Sequence, residues 1–289
     1  MNITTKKLIC GFEMPVYGLG TWEMGGRKEV DPNNDDQADI DAIKYAIDSG
    51  ITHIDTAENY ANGHSEELVG EAIKGYDRKK LFIVSKVGRT KLKHDDLIKS
   101  AKESLQRIGT NYLDLFLIHT PSLEIPIEES MQAMNELYDE GLIKNIGVSN
   151  FTVERFTEAQ KYSKAKIVAN QLHLNLKYRE TEKKGLVKFC QENDVVFIAW
   201  RPVQKGIILD TNIQIVKDMC EKYSKTPSQI AINWLISQKN IITLSKTRNK
   251  LHLDENLGSI GWNMENADIE KLRNEFPDQE EISDAVPLV

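Results

Sequence analysis

The feature that most constrains the fold is a regular alternation between two kinds of hydrophobic pattern. Short apolar runs typical of buried strands recur eight times, and stretches with helical periodicity separate them. The strand candidates are YGLG at 17–20, HID at 53–55, LFIVS at 81–85, YLDLFLI at 112–118, IKNIGVS at 143–149, IVANQ at 167–171, VVFIAW at 195–200 and IITLS at 241–245. Because such alternation favours a parallel sheet with right-handed crossovers, the sequence predicts an α/β protein.

Two of the segments between these runs show the helical pattern most clearly. Residues 35–50 place apolar side chains on one face at helical spacing and end at Gly50, which suits a C-terminal stop. Residues 226–238 begin with Thr226, a good N-cap, followed by Pro227, which favours the first helical position. A helix candidate of this kind follows each strand candidate, so the chain is a series of strand–helix units.

The number of these units favours a closed barrel. Eight units within about 250 residues fit a (β/α)8 barrel better than an open sheet. The open Rossmann-type alternative requires a GxGxxG turn, whereas the first strand runs into YGLGTWEMGG and then the acidic VDPNNDD. No Pro/Gly/Ser-rich linker divides the chain. The sequence therefore predicts a single (β/α)8 TIM barrel domain over residues 1–289, with its active site at the C-terminal ends of the strands.

Net charge and hydropathy exclude several classes of partner. The 289 residues carry a net charge of −7 without a strongly basic stripe, which argues against binding to nucleic acid. No apolar run approaches the roughly 20 residues that a bilayer requires, so no membrane partner is expected. The N-terminus lacks the apolar core of a signal peptide. We expect a monomer that acts on a small molecule.

Cysteine and histidine usage bears on compartment and metal binding. Three separated cysteines, at positions 10, 190 and 220, form neither a disulfide framework nor a CxxC pair, so a reducing cytoplasm is expected. The six histidines never occur as HExxH or at comparable ligand spacing. No metal site is therefore predicted.

Polar side chains lie at the ends of three consecutive strand candidates. Asp55 ends the second strand, and Tyr60 follows it in the next loop. Lys86 ends the third strand, in LFIVSKV, and His119 ends the fourth, in YLDLFLIHT. Each of these alone would be interpreted as a loop cap, a packing aromatic or a solvated loop residue. Because consecutive barrel strands end at the same rim, the four together indicate an active site.

These residue types suit proton donation to a carbonyl group. A free tyrosine has a pKa of roughly 10 and is a poor acid at neutral pH. The ammonium group of Lys86 would favour the phenolate and lower the pKa of Tyr60, while Asp55 would hold Lys86 charged and in place. His119 would hydrogen-bond and orient the substrate oxygen. No nucleophile with its own base accompanies them, so acyl transfer is not indicated.

Nearly the whole chain resembles the aldo-keto reductase family. The pieces that carry the resemblance occur in the family's order: GLGTW, HIDTAENY…GHSEELVGEAI, LFIVSKV, LDLFLIHT, GLIKNIGVSNF, NQLHLN, AWRP and DENLGSIGW. The resemblance implies a (β/α)8 barrel that binds NAD(P)H without a Rossmann motif and reduces aldehydes or ketones to alcohols. It also implies that Tyr60 is the general acid and that Lys86 and Asp55 tune it. His119 is then the residue that steers the carbonyl.

The resemblance further implies a set of cofactor-binding residues. Ser149, Asn150 and Gln171 match the side chains that orient the carboxamide, and Trp200 matches an aromatic residue that stacks on the nicotinamide. The full set is Gly20, Thr21, Trp22, Asp55, Ser149, Asn150, Gln171, Trp200, Arg201, Pro202, Val203, Lys205, Leu244, Lys246, Thr247, His252, Glu255 and Asn256.

The sequence departs from the family's pattern at the adenosine end. Lys246 and Thr247 stand at the usual Lys-Ser pair, but His252 stands where the family has an arginine for the 2′-phosphate. Histidine is shorter and mostly neutral at pH 7. NADPH is therefore the favoured cofactor, and use of NADH is possible.

A second departure concerns the pyrophosphate loop. RPVQKG stands where the family often has a Ser-Pro-Leu-Gly run, so that Arg201 and Lys205, with the amide of Gln204 between them, make this pyrophosphate loop more basic. Selectivity for the substrate is expected to reside in the long loops and in the tail after about residue 262, which we expect to form part of the pocket rim.

Two other functions fit the same barrel. A non-catalytic NADP(H)-binding redox-sensing or regulatory subunit would keep the cofactor site, but it need not retain a general acid with its tuning pair. A metal-dependent hydrolase would need strand-end clusters of His and Asp ligands, and the sequence offers none. The prediction is NAD(P)H-dependent reduction of a small carbonyl substrate.

Overall fold

Eight parallel strands close into a barrel in the computed structural model, which describes residues 3–204, 206 and 213–288. The strands in chain order are β1 (Thr5–Lys7), β2 (Glu13–Pro15), β3 (Tyr17–Gly20), β4 (His53–Asp55), β5 (Phe82–Val87), β6 (Leu115–Ile118), β7 (Ile146–Ser149), β8 (Ile167–His173), β9 (Val196–Trp200) and β10 (Ile241–Ser245). Strands β1 and β2 form a separate antiparallel hairpin. The barrel order is β10, β3, β4, β5, β6, β7, β8, β9, which confirms the predicted (β/α)8 architecture.

Helices follow the barrel strands along the chain. They are α1 (Asp36–Asp48), α2 (His64–Ala72), α3 (His94–Ile108), α4 (Ile127–Asp139), α5 (Val153–Tyr162), α6 (Glu180–Lys183), α7 (Leu186–Glu192), α8 (Gln214–Tyr223), α9 (Pro227–Ile236), α10 (Lys250–Leu257) and α11 (Asn266–Glu275). Short 3-10 turns lie at Tyr60–Gly63, Arg78–Lys80 and Arg89–Lys91.

The sequence pattern located the barrel strands closely. The bounds of β3, β4 and β10 are those expected, and the bounds of the other strands differ by three residues at most. The largest difference is at the start of β6 and β7, where the pairing is reduced to an isolated bridge between Leu113 and Ile143. The β1–β2 hairpin was not expected, because its residues show no clear alternation of apolar and polar side chains.

The chain divides into two compact units, the first of which is Gly18–Asn170. In this unit the register places Gly20 opposite Asp55, Asp55 opposite Val84, and Lys86 opposite Leu117. Backbone hydrogen bonds continue the ladder beyond the strands, including one of 2.9 Å from the amide of His119 to the carbonyl of Val87. The ends of β4, β5 and β6 therefore lie side by side.

A glycine is required at one position beneath this edge. Gly18 lies opposite His53 in the register, and a Cβ at Gly18 would be 2.2 Å from Nδ1 of the imidazole. The histidine ring thus fills the space that a side chain of Gly18 would need, and it is fully buried. Close packing of this kind leaves no room for a larger residue at position 18.

The second unit comprises Met1–Tyr17 and Gln171–Val289. Its strands β9 and β10 pair in parallel, with Leu244 opposite Trp200. Helix α9 begins with the predicted cap, in which the amide of Gln229 donates to Thr226 and the side chain of Gln229 accepts from the amide of Thr226. The prediction that the chain is a single domain over residues 1–289 stays a prediction.

Candidate active site

Lys86 forms the centre of the polar cluster at the ends of β4, β5 and β6. Its ammonium group lies 2.5 Å from Oδ1 of Asp55, 2.8 Å from the carbonyl oxygen of Thr56 and 3.4 Å from the hydroxyl of Tyr60. Neither Lys86 nor Asp55 has more than 2% of its surface exposed. A lysine this deeply buried requires compensating partners, and the carboxylate and the carbonyl provide them.

Tyr60 is oriented by aromatic neighbours and by the turn that follows it. Its ring makes edge-to-face contacts with Trp22, at a centroid distance of 4.9 Å, and with His119, at 5.7 Å. The next two residues, Ala61 and Asn62, have left-handed backbone angles, with φ of 47° and 52°. A non-glycine residue in this region is uncommon. The turn therefore fixes where the hydroxyl of Tyr60 lies.

Burial and neighbouring charge have opposite effects on the pKa of Tyr60, and likewise on the pKa of Lys86. Burial raises the pKa of Tyr60 above its ordinary value, and the ammonium group of Lys86 opposes this by favouring the phenolate. For Lys86, burial favours loss of the charge, but Asp55 and Tyr60 outweigh it and raise the pKa of the lysine. The expectation that the pKa of Tyr60 lies below its ordinary value is wrong for this arrangement, because burial is the larger effect.

His119 is a neutral imidazole in this site. Burial lowers its pKa to about 3, and the nearby charge of Lys86 acts in the same direction. Its Nδ1 atom is buried and has no hydrogen-bond partner among the described residues. At neutral pH the ring therefore carries a single N–H and one free lone pair, which suits hydrogen bonding to an uncharged carbonyl group.

Glu58 is a positioning residue, and the sequence indicated only that it shapes the loop that presents Tyr60. Its carboxylate accepts hydrogen bonds from the amide of Gly88 at 2.7 Å, from Ser100 at 2.5 Å and from Lys91 at 2.9 Å. Its own amide donates to the carbonyl of Lys86. Glu58 thus joins the loop that carries Tyr60 to the strand end that carries Lys86. The only sequence signal was a carboxylate in a loop that is otherwise small and polar.

Six of the residues implied as cofactor ligands lie in the same unit as the cluster, among them Trp22 and Asp55. Gly20 ends β3, and the buried Thr21 accepts a hydrogen bond of 2.8 Å from the hydroxyl of Ser65. At the end of β7, Asn150 donates to the carbonyl of His119 at 3.0 Å and to Ser149 at 3.0 Å. Its Oδ1 atom is buried and has no partner in the part of the chain that the structure describes. Because buried acceptors are normally hydrogen-bonded, we expect a ligand or a water molecule to donate to this oxygen.

The implied nicotinamide ligands of the second unit lie on β8 and β9. Gln171 is buried on β8, and Trp200 ends β9 with part of its surface exposed. The ring of Trp200 is stacked on the imidazole of His173, with a centroid distance of 4.1 Å and an interplanar angle of 7°. The histidine therefore fixes the orientation of the tryptophan.

The residues after β9 form the implied pyrophosphate loop. Arg201 and Gln204 have positive φ angles of 57° and 45°, while Pro202 is buried and Val203 is half-buried. Arg201 lies 3.3 Å from the carboxylate of Asp284. Lys205 lies outside the described residues.

The residues implied at the adenosine end follow β10. Leu244 is buried on β10, whereas Lys246 and His252 are exposed and Thr247 caps a turn by accepting from the amide of Asn249. Two further members of the set lie on α10, with Glu255 half-buried and Asn256 donating to the hydroxyl of Ser245 at 3.1 Å. This end of the site is accordingly open to solvent.

Two further properties of the described residues bear on function. Within residues 3–204, 206 and 213–288, no group of three or more His, Cys, Asp or Glu residues is arranged to hold a metal ion. Among the helices of the same residues, none combines the length and the apolar character needed to cross a bilayer.

Comparisons with known proteins agree on one family. Residues 17–274 match the model of the Aldo/keto reductase family. The chain is 32% identical to the glyoxal reductase of Bacillus subtilis over 93% of its own length and 91% of that protein. It superimposes on the thermostable aldo-keto reductase Tm1743 with a TM-score of 0.90 and 39% identity, covering 94% and 99% of the two chains. An aldo-keto reductase of Klebsiella pneumoniae in complex with NADPH gives a TM-score of 0.83 and 28% identity, with complete coverage (100%) of both chains.

Proposed function

Since this chain belongs to the aldo/keto reductase family and is an NAD(P)H-dependent oxidoreductase, we propose that it reduces aldehydes or ketones to alcohols with Tyr60 as the general acid. The observation that carries the proposal is the contact of 3.4 Å between the hydroxyl of Tyr60 and the ammonium group of Lys86. A phenol becomes an effective proton donor when a fixed positive charge stabilises the phenolate that it leaves behind.

The proton moves from Tyr60 to the oxygen of the carbonyl group as that oxygen gains negative charge. Lys86 remains charged during this step because Asp55 lies 2.5 Å away. The contacts of Tyr60 with Trp22 and His119 hold the phenol in place, so little orientational freedom is lost at the moment of reaction. NADPH, when bound, supplies the hydride that adds to the carbonyl carbon.

His119 determines how the carbonyl group lies. A neutral ring donates one hydrogen bond to the carbonyl oxygen without placing a second positive charge beside Lys86. The low pKa of His119, about 3, keeps the ring in this form throughout the neutral range. The carbonyl oxygen then lies within reach of both the imidazole and the phenol.

The residues present fit a nicotinamide cofactor. The unpartnered Oδ1 of Asn150 can accept from the amide group of the carboxamide. Lys246, which is exposed after β10, is the residue we assign to the 2′-phosphate of NADPH. The remaining cofactor ligands are those implied by the resemblance.

The substitution Tyr60→Phe tests the assigned acid. It should reduce aldehyde turnover by roughly 10²- to 10⁴-fold, the range typical for loss of a general acid, and leave the dissociation constant for NADPH almost unchanged. Turnover is measured with a panel that includes glyoxal, because a relative bears the name glyoxal reductase. Turnover close to that of the wild type would remove Tyr60 as the acid.

Measuring NADPH binding and turnover on the wild-type protein distinguishes the reductase from the alternative, a non-catalytic NADP(H)-binding subunit. A chain that binds NADPH but turns over no aldehyde or ketone of the panel would favour the redox-sensing or regulatory subunit. Protein fluorescence reports binding, because Trp22 and Trp200 lie among the implied cofactor ligands.

A further inference from the structure

A carboxylate of the C-terminal tail lies against the pyrophosphate loop. Oδ1 of Asp284 lies 3.3 Å from Nη1 of Arg201, and Oδ2 accepts a hydrogen bond of 2.9 Å from the side-chain amide of Gln204. Gln204 is 1% exposed, whereas Asp284 has 39% of its side chain exposed. The tail therefore contacts two side chains, Arg201 and Gln204, that the sequence analysis assigns to the pyrophosphate loop.

The orientation of Gln204 is set by a buried network. Its Oε1 accepts hydrogen bonds of 3.0 Å from Asn175 and from Nε2 of His173, so its amide group is directed to Asp284. The other ring nitrogen of His173 lies 2.8 Å from the hydroxyl of Ser283, the residue before Asp284. Burial lowers the pKa of His173 to about 4, so this ring is neutral at neutral pH.

The backbone of the tail is anchored on a single buried carboxylate. Glu180 is 2% exposed and accepts hydrogen bonds from the amide of Ser283 at 2.9 Å and from the amide of Leu288 at 3.0 Å. Because the chain is held on both sides of Asp284, its carboxylate is fixed in position.

We infer that Asp284 is a residue that sets the affinity for the nicotinamide cofactor, because its carboxylate contacts Arg201 and Gln204 in the loop implied to bind the pyrophosphate. The inference rests on the proposed function, in which the loop that carries these side chains binds the pyrophosphate. A fixed carboxylate beside that group repels its negative charge and neutralises part of the charge of Arg201. The tail thereby weakens cofactor binding.

The substitution Asp284→Asn tests this inference. An asparagine has the same shape and can still accept from Gln204, but it lacks the negative charge. Dissociation constants for NADPH and NADH should both fall by about two- to fivefold, the range expected for one partly exposed charge. The gain should shrink as salt concentration rises, because salt screens the repulsion.

Glu281→Gln is the matched control. It removes a charge of the same sign from the same tail, but Glu281 pairs with Lys183 at 3.4 Å, and among the described residues it has no ion pair with Arg201. Its dissociation constants should equal those of the wild type. Unchanged or weaker binding by Asp284→Asn, or an equal change in both variants, would overturn the inference. Failure of the wild type to bind either cofactor would instead contradict the proposed function.

Discussion

At the scale of single residues, the main energetic question is how Lys86 remains charged with no exposed surface. Removing an ammonium group from water costs several kcal/mol, and a carboxylate at 2.5 Å together with a carbonyl at 2.8 Å offsets that cost. The same positive charge acts on Tyr60, where it counters the effect of burial on the pKa. The position of Lys86 could be predicted from the end of its strand, but the balance between burial and charge required the three-dimensional structure.

The substitution Lys86→Met tests whether the charge of Lys86 lowers the pKa of Tyr60. Without the positive charge, the pKa of Tyr60 rises further, so the phenol becomes a weaker acid and reduction at neutral pH falls sharply. In the alcohol-oxidising direction the phenolate is needed, so the alkaline limb of the pH–rate profile should move to higher pH or disappear. A normal turnover with an unchanged profile would show that Lys86 does not tune the tyrosine.

The exposed residues after β10 lead to a prediction about cofactor choice. Lys246→Ala should weaken NADPH by roughly ten- to a hundredfold and NADH little, because one charge-assisted hydrogen bond to the 2′-phosphate is lost. His252→Arg should tighten NADPH with little effect on NADH, because a fork of donors is supplied. Fluorescence titrations of the three proteins with both cofactors measure this. Equal losses for the two cofactors in Lys246→Ala would exclude Lys246 as the phosphate ligand.

At the scale of elements, the sequence pattern predicted most strand positions well, because the barrel strands are short and buried on both faces. The short runs typical of buried strands therefore located β3, β4 and β10 to the residue. Loop conformation was not predictable in this way, since the left-handed pair Ala61 and Asn62 carries no apolar pattern. The three contacts of Glu58 were equally hidden, because each joins segments at least 30 residues apart in the chain.

Glu58 leads to a prediction about the loops that present the catalytic groups. Glu58→Ala removes the acceptor for Gly88 and Ser100, so the Tyr60 loop and the end of β5 lose their side-chain connection, while the backbone hydrogen bond from residue 58 to the carbonyl of Lys86 remains. A displacement of about 1 Å between reacting groups can cost up to about 100-fold in rate, so kcat should fall by up to that factor, with little change in the dissociation constant for NADPH. Lys91→Ala is the control, because it removes only the partly exposed partner, and kcat should change little. Equal effects of the two substitutions would contradict this role.

At the scale of the whole molecule, the sequence could not show which distant segments meet. The predicted site residues lie at strand ends, and the barrel order brings Asp55, Lys86 and His119 side by side. The contact between Asp284 and Arg201 spans 83 positions of the chain and depends on how the tail folds back. No local pattern marks such a contact, so only the three-dimensional structure reveals it.

Two buried histidines, His53 and His173, and the half-buried His119 make stability depend on pH. Burial lowers the pKa of His53 and His173 to about 4 and that of His119 to about 3. Between pH 6.5 and these values the unfolded chain binds protons that the folded chain does not, so stability is lost as pH falls. Each such group contributes about 1.4 kcal/mol per pH unit in that window. His64 and His94 act in the opposite direction, because their carboxylate partners raise their pKa values.

His53 allows this dependence to be measured, because both of its ring nitrogens lack hydrogen-bond partners among the described residues. His53→Leu removes one titrating group without breaking a hydrogen bond, and it places an apolar side chain in a fully buried position. Between pH 7 and pH 5 the variant should lose about 2 kcal/mol less stability than the wild type, measured by urea unfolding at both values. His252→Gln, which replaces an exposed histidine, should follow the wild type. If His53→Leu loses as much stability as the wild type over this interval, His53 is protonated in the folded protein, and its burial is not the source of the acid sensitivity.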